Sequence, residues 1–449
     1  MDTPPALAPF GYVTDNDIPT LDREMPLLKK LVAQHKSAAP LRGITALLIQ
    51  HQLGNQGPQT EALIELGLDP KALFWLDIPY TSSERFRITM ADRLAIPEPN
   101  FWTHRYRVLE SYDTYQLRRT QEMIRQLLRK RPERLVVLDD GAYFVAAASS
   151  FRRQFSRVAV VEQTTRGLIK IKDNPALAHF ARRIPVVNVA KSKPKLELES
   201  PWIGIAVAAA LDFQLRTLPS DAFRIDSTSP CLVLGYGAIG NMVAKHLRAR
   251  AAVFVCDTDS AQMDQAKRDG FETWDRSKHS PKFRLVVGCS GRQSFGVGDF
   301  NYLDRHAVLA SASSGSVELS RRDFIELAAA SQIDDIRIDV RRLTEDNLHQ
   351  PLRIHLVDRQ VIFLNAGFPI NFDGRLNCVP AKYMQPTAAL MVQATMQAVQ
   401  TLQEGRSGED DDGFVEVDAV FCEDLMTSFS KQLSLDELQL LNASAISRS

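Results

Sequence analysis

The sequence predicts an α/β fold with two Rossmann-like domains, each built on a doubly wound parallel sheet. Short apolar runs alternate with segments of helical spacing along most of the 449 residues, a pattern typical of parallel strands covered by helices. Several of these runs end in polar residues or glycine, where parallel sheets place their ligand sites. A chain of this length exceeds one hydrophobic core, so we expect two domains.

Three apolar runs in the first half of the chain are predicted as buried parallel strands: 44–49, 135–138 and 158–161. His51, Asp140 and Gln163 follow the ends of these runs. Because the carboxyl ends of parallel strands meet at one edge of a sheet, we expect the three side chains to line one site.

The bulk composition excludes several classes of function. The 54 basic residues balance 54 acidic ones, which gives no electrostatic basis for binding nucleic acid or an anionic membrane. The five cysteines lack the spacing of a zinc site, so we expect no metal. The first residues do not resemble a signal peptide, and no segment reaches the roughly 20 apolar residues that span a bilayer. We therefore expect a soluble cytoplasmic protein that binds a small-molecule substrate.

A dinucleotide-binding pattern begins at residue 231. The apolar run 231–234 leads directly into Gly235-Tyr236-Gly237-Ala238-Ile239-Gly240, and residues 241–250 have helical spacing. In such a turn the first glycine permits the tight bend, the second lets the backbone approach a pyrophosphate, and the third lets the helix pack on the strand.

An acidic residue completes this pattern. The apolar run 252–256 ends at Asp257, and a carboxylate there accepts hydrogen bonds from the adenosine ribose and repels a 2′-phosphate. Strand, turn, helix, strand and acid in this order predict bound NAD rather than NADP. The alternative is a Rossmann-shaped domain that has lost its ligand.

Several motif blocks, taken in order, resemble the S-adenosylhomocysteine hydrolase family over most of residues 25–400. The blocks are His51 after a strand, Leu138-Asp139-Asp140-Gly141, the segments 162–167 and 188–195, the glycine turn, and Asn365-Ala366-Gly367 through Asn371. The resemblance implies a substrate domain with an inserted NAD-binding domain, and a homo-oligomer. On this basis we expect the substrate domain in 1–200 and 366–403, the NAD-binding domain in 201–365, and a linker and tail in 404–449.

The resemblance also assigns roles to residues. In that family, bound NAD transiently oxidises the ribose 3′-hydroxyl of the substrate, the thiol leaves, water adds and the hydride returns. His51 and Asp140 fall on the catalytic histidine and aspartate, and Lys195 falls on the lysine that assists loss of the hydroxyl proton. Cofactor contacts beyond the glycine turn and Asp257 are assigned to Thr164, Thr165, Ser290 and Asn371.

The chain departs from the family pattern mainly in the substrate pocket. Gln163 stands for the catalytic glutamate and cannot exchange a proton at neutral pH, while Glu199 stands for an aspartate. The other replacements are Arg166 for a third threonine, Ser314 for a histidine, Val379 for the histidine of a His-Pro pair, and Leu53 and Asn55 for an adenine-facing threonine and glutamate. Because a site built to hydrogen-bond one substrate rejects it when those partners are lost, we expect a different substrate.

Each candidate residue also has a plainer interpretation. Lys195 is either a base or a solvated lysine of a basic run, and Glu199 pairs with it in either case. Asp140 either orients His51 or Lys195, or it caps the next helix. His51 either shuttles protons or is a hydrogen-bonded histidine at a strand end.

The leading hypothesis from sequence is an NAD-dependent enzyme that transiently oxidises a hydroxyl of a nucleoside or related small molecule. Two alternatives stay open. One is a catalytically inactive NAD-binding regulator, and the other is an authentic adenosylhomocysteinase.

Overall fold

The structure, a computed structural model, describes residues 9–107, 110–151, 157–218, 220–276, 281–319, 348–356, 358–404 and 413–446, together with Asp323 and Glu326. The acidic stretch 405–412, which the sequence predicts as a linker, lies outside these residues.

The strands, in chain order, are β1 Thr45–Gln50, β2 Leu73–Asp77, β3 Phe101–Trp102, β4 Leu135–Asp139, β5 Val158–Glu162, β6 Val186–Asn188, β7 Pro230–Leu234, β8 Ala252–Cys256, β9 Glu272–Thr273, β10 Phe283–Gly288, β11 Leu303–Ser311, β12 Leu352–Leu356, β13 Arg359–Phe363 and β14 Val415–Glu416.

The helices are α1 Leu21–Glu24, α2 Pro26–His35, α3 Gln56–Glu65, α4 Glu84–Leu94, α5 Tyr112–Lys130, α6 Tyr143–Ala148, α7 Thr165–Lys172, α8 Pro175–Ala181, α9 Ser200–Thr217, α10 Ala238–Leu247, α11 Ser260–Arg268, α12 Ala381–Glu404, α13 Ala419–Ser430 and α14 Leu435–Ile446. A π-helical turn, Lys195–Glu199, runs directly into α9.

The first sheet is fully parallel, with strand order β14-β6-β5-β4-β1-β2-β3. Its chain order reverses between β1 and β4, so this pair is the topological switch point where ligands bind in such sheets. Every residue of β2, β4 and β5 is buried, because helices cover both faces of a parallel sheet. The predicted strands of the first half are confirmed.

The second sheet has the order β12-β13-β11-β10-β7-β8-β9, and only the β12–β13 pair is antiparallel. Its switch point lies between β7 and β10. Two doubly wound sheets of this kind confirm the predicted α/β fold with two Rossmann-like units.

An N-terminal arm, residues 9–20, contacts both places where the chain crosses between the sheets. The ring of Tyr12 stacks on Phe213 of α9 with centroids 4.0 Å apart, and its hydroxyl donates to Asp373 at 2.8 Å. Asn377 donates through Nδ2 to the Asp17 carbonyl at 2.7 Å. The arm therefore joins the outgoing crossing in α9 to the returning segment that precedes α12.

The C-terminal residues 413–446 belong to the first unit. β14 pairs with β6 at the edge of the first sheet, and α14 packs against the π-helical turn and α9. A capping-box start in residues 433–438 predicts one short helix in this tail, whereas the structure forms two helices and an edge strand. Cys422, Leu425 and Phe429, spaced at one face of α13, are buried, and this long-range burial stabilises a helix whose local signals are weak.

Candidate functional site

His51 and Asp140 meet at the switch point of the first sheet, directly after β1 and β4. His51 Nε2 lies 3.2 Å from Asp140 Oδ2, and both side chains are almost fully buried. His51 Nδ1 lies 2.8 Å from Thr81 Oγ1. Because the Thr81 hydroxyl donates to the Ile78 carbonyl at 3.2 Å, its oxygen is left to accept from the imidazole. Nδ1 can therefore donate to Thr81, while Nε2 faces the Asp140 carboxylate, which lies in place to orient the His51 ring.

Aromatic residues from both units enclose this pair. The ring of Phe372, from the loop after β13, lies 4.6 Å from the His51 ring, and Tyr80 lies 5.7 Å from it. The Gly315 amide of the second unit donates to the Tyr80 hydroxyl at 3.0 Å. Sequence reasoning missed Tyr80, although its position directly beyond the β2 strand end was an available signal.

A pair of buried acidic residues, Asp139 and Glu162, lies next to Asp140. Asp139 and Glu162 face each other in register at the ends of β4 and β5, and both are fully buried. Burial, followed by the Asp139 charge, raises the pKa of Glu162 from 4.5 to about 8. Burial likewise raises the pKa of Asp139 from 3.8 to about 7. Both carboxyls therefore bind their protons more tightly in the folded chain than in the unfolded chain.

This acid pair fixes the turn that carries Asp140. Glu162 accepts from the amides of Gly141 at 3.2 Å and Ala142 at 2.8 Å, two consecutive residues with positive φ. Asp139 accepts from the amides of Tyr143 and Phe144 at the start of α6. A strained left-handed alanine persists only where its surroundings hold it, so Glu162 determines where Asp140 points.

The three predicted site residues after β5, which are Gln163, Thr164 and Thr165, differ in burial and in hydrogen bonding. Gln163 is buried, and its Oε1 has no partner among the described residues. The Thr164 hydroxyl donates to Glu162 at 2.7 Å and caps α7 by accepting from the Gly167 amide at 3.0 Å. Thr165 is exposed. Thr164 thus anchors the loop, and Thr165 is the one free to reach a ligand.

Lys195 and Glu199 form the buried pair that their spacing predicts. Lys195 Nζ lies 2.8 Å from Glu199 Oε1, and the two side chains are 14% and 10% exposed. Thr387 of α12 donates its hydroxyl to Glu199. Lys195 is therefore partly buried, whereas Lys191 and Lys193 of the same basic run are exposed.

The glycine turn has the geometry of a dinucleotide site at the second switch point. Gly235 has a φ of 97°, and a Cβ on Gly240 would lie 1.9 Å from the Gly235 carbonyl oxygen. Nothing lies within 4 Å of a Cβ built on Gly237. The Asp257 carboxylate accepts from the Tyr236 amide at 2.6 Å, which places it beside the turn. The amides of Ala238 and Ile239 begin α10, where an anion binds favourably.

The loop after β10 carries Ser290, which the sequence predicts as a cofactor contact in the second unit. The Ser290 hydroxyl donates to Glu318 at 2.9 Å. Burial, and then the Glu318 charge, raise the pKa of the Cys289 thiol well above its usual range. A protonated thiol is a poor nucleophile, and Cys289 packs against the apolar core of the second unit.

Two further residues of the predicted site, Asn55 and Asn371, contact other residues of the chain. Asn55 donates through Nδ2 to the Val379 carbonyl at 2.9 Å. Asn371 lies 3.8 Å through Nδ2 from the Cys378 sulfur. Within the described ranges, no group of His, Cys, Asp or Glu side chains is arranged to hold a metal ion. In the same part of the chain, no helix has the length and apolarity to cross a membrane.

Comparison with known proteins gives partial similarity. No protein-family model matches the chain. It is 29% identical over 364 residues to uncharacterised proteins of two Mycobacterium tuberculosis strains, covering 80% of this chain and 64% of each relative. The chain thus spans less than two thirds of the length of these relatives. It is 23% identical over 219 residues to an adenosylhomocysteinase of Sulfurisphaera tokodaii, covering 47% of this chain and 49% of that protein.

Solved structures of related topology are more distant. The dipicolinate synthase A chain of Bacillus subtilis is 9% identical with a TM-score of 0.37, over 81% of this chain and 97% of that one. A pyruvate reductase of Chlamydomonas reinhardtii is 12% identical with a TM-score of 0.36, over 80% and 98%. At this level the similarity carries no argument about activity.

We expect the Asp139–Glu162 pair to make the free energy of unfolding fall as pH rises. The folded chain holds these protons more tightly than the unfolded chain, so the pair's contribution is complete below the unfolded pKa values and is lost as pH rises through about 7 and about 8. Denaturant titrations across this range measure the slope. Glu162→Gln should make the slope shallower.

The matched control is Glu133→Gln, since the Glu133 side chain is 78% exposed and should leave the slope unchanged. Asp139→Asn provides a second test of the same pair if Glu162→Gln does not fold. Equal slopes for wild type and both buried variants would contradict this assignment.

Proposed function

We propose that this chain is an NAD-binding enzyme that transiently oxidises a hydroxyl group of a nucleoside-like small molecule. The observation that carries the proposal is the buried His51–Asp140 pair at one switch point, in a chain whose other switch point bears a dinucleotide turn. A binding turn alone supplies affinity, whereas an oriented proton-transfer pair supplies chemistry. The partial similarity to an adenosylhomocysteinase supports the same reaction class.

The glycine turn fits the cofactor on its own geometry. The space beside Gly237 is open for a pyrophosphate, and the first amides of α10 point towards it. Each Asp257 carboxylate oxygen accepts one backbone amide, which leaves lone pairs for ribose hydroxyls. Bound NAD would supply the hydride acceptor for the oxidation.

The chain's own residues supply the proton transfers. Glu199 can take one proton from the Lys195 ammonium, and the neutral Lys195 amine then takes the proton of the substrate hydroxyl as that hydroxyl is oxidised. His51, held by Asp140 and Thr81, donates or accepts protons in the later steps. Gln163 offers an amide oxygen that binds a substrate donor without transferring a proton.

The substrate differs from S-adenosylhomocysteine in this proposal. One hydrogen of the Asn55 amide nitrogen is committed to the Val379 carbonyl, and its Oδ1 is a neutral acceptor without a partner among the described residues. A carboxylate at this position would accept two strong hydrogen bonds, and the loss of such a partner costs a polar ligand severely.

One observation favours an inactive NAD-binding regulator as the second candidate. Phe372 and Tyr80 pack close to the His51 ring, and the Gly315–Tyr80 hydrogen bond joins the two units there. A protein that only senses NAD needs no room beside His51. The regulator therefore stays the alternative that experiment must exclude.

A pair of glycine variants tests cofactor binding. Gly237→Ala should keep the free energy of unfolding within about 1 kcal/mol of wild type, because its Cβ meets no atom within 4 Å. It should weaken NAD binding by about tenfold or more in calorimetry, because the methyl group occupies the space of the pyrophosphate. Gly240→Ala should instead destabilise the fold by about 3 kcal/mol. Unchanged NAD affinity in Gly237→Ala would sink the cofactor assignment.

Absorbance in the reduced-nicotinamide band tests the chemistry. With NAD bound, adding nucleosides singly should produce a transient rise for at least one compound. Lys195→Gln should slow that rise by about 100-fold while NAD stays bound, and Lys193→Gln, at an exposed position, should behave as wild type.

The outcomes of this experiment separate the three functions. Stoichiometric NAD without reduction by any nucleoside identifies the regulator. Release of adenosine and homocysteine from S-adenosylhomocysteine identifies authentic hydrolysis.

A further inference from the structure

A buried glutamate of the second unit binds two loops at once. Glu318 is 0% exposed and lies in the loop after β11. Its carboxylate accepts from the hydroxyls of Ser290 and Ser294 and from the Gly291 amide, all in the loop after β10. It also accepts from the hydroxyl of Ser313 in its own loop. Four donors converge on one carboxylate, which is what a buried charge requires.

The backbone of Glu318 binds the same loop. Its carbonyl accepts from the amides of Ser294 at 2.9 Å and Phe295 at 3.1 Å. A Cβ built on Gly288, the last residue of β10, would lie 2.7 Å from Glu318 Cβ. The glutamate therefore fills the space directly against the strand end, and no larger residue than glycine fits opposite it.

These two loops lie beside the half of the proposed dinucleotide site that the glycine turn and Asp257 do not support. Asp257 at the end of β8 marks the adenosine side of the glycine turn, and β10 lies on the opposite side of β7. A dinucleotide bound across the switch point must extend over the ends of β10 and β11. A Cβ built on Gly235 would lie 2.8 Å from the Cys289 carbonyl, so the loop after β10 also touches the turn itself.

We propose that Glu318 is a positioning residue that sets the loops after β10 and β11 for the nicotinamide half of the dinucleotide. This inference rests on the proposed NAD binding. It assigns the two halves of the cofactor to different parts of the second unit. The adenosine and pyrophosphate are held by the glycine turn and Asp257. The nicotinamide and its ribose depend on the loops after β10 and β11, which the Glu318 side chain joins by three hydrogen bonds and the Ser313 side chain by one.

The same loop reaches the first unit. Gly315, three residues before Glu318, donates to the Tyr80 hydroxyl at 3.0 Å, and a Cβ at Gly315 would lie 2.4 Å from Arg166 Nη1. Glu318 therefore sets the loop that faces the His51 site. A shift of that loop would displace the nicotinamide relative to the reacting hydroxyl, and small misplacements at a reacting centre have large effects on rate.

Affinities for ADP and for NAD test this division on the full chain. In Glu318→Gln one oxygen becomes an amide donor that faces the loop donors, so the loops should separate. NAD affinity is expected to fall by at least about tenfold, while ADP affinity stays within about twofold of wild type. Asp299→Asn, which alters another acid of the same unit that accepts from Arg276, should change neither affinity.

Ser313→Ala provides a milder variant that keeps Glu318. It removes one donor to the carboxylate and one acceptor of the Gly291 amide, so NAD affinity should fall by about threefold with ADP unchanged. Equal losses of ADP and NAD affinity in Glu318→Gln, or no loss of either in both variants, would overturn the inference. Wild-type protein that binds ADP but not NAD would overturn it too. Wild-type protein that binds neither compound would remove the proposed function and this inference with it.

Discussion

Both sites depend on buried backbone amides that cannot donate to a neighbouring strand and therefore need another acceptor. At the switch point of a parallel sheet the loops of adjacent strands part, and their buried N–H groups need acceptors. In each sheet a buried glutamate is such an acceptor. Glu162 binds the turn after β4, and Glu318 binds the loop after β10. Asp140 and Ser290 owe their positions to these carboxylates.

The two glutamates have different electrostatic surroundings. Glu162 lies opposite Asp139, and burial lowers the pKa of the nearby Lys170 amine to about 8. Lys170 also donates to the Gly141 carbonyl at 2.6 Å. The Lys170 amine and the Glu162 carboxylate therefore both bind the turn after β4. Among the described residues, the Glu318 carboxylate accepts from three serine hydroxyls and one backbone amide. The first site therefore responds to pH through a coupled acid pair, and the second depends on hydroxyl donors.

Local patterns predicted the fold and the cofactor turn well. The apolar strands and the glycine turn are continuous in sequence, so their spacing alone indicates their structure. Glu318, Tyr80 and α13 were not predicted, because their partners lie far away along the chain. Tyr80 and Gly315 lie in different units and are 235 residues apart in the chain. The spacing of Lys195 and Glu199 predicted the pair, but only the packing of α12 shows that Thr387 holds it.

The replaced pocket residues have partners of their own, which bears on whether the site is active. Arg166 donates to Asp113 and to the Tyr143 hydroxyl, Asn55 donates to Val379, and Glu199 accepts from Thr387. Two of the replaced residues also keep a buried oxygen without a partner among the described residues, Gln163 Oε1 and Asn55 Oδ1. A buried polar atom without a hydrogen bond costs stability, and a ligand that donates to these oxygens would offset that cost. The substrate of the proposed function therefore has to carry donors that match these two neutral acceptors.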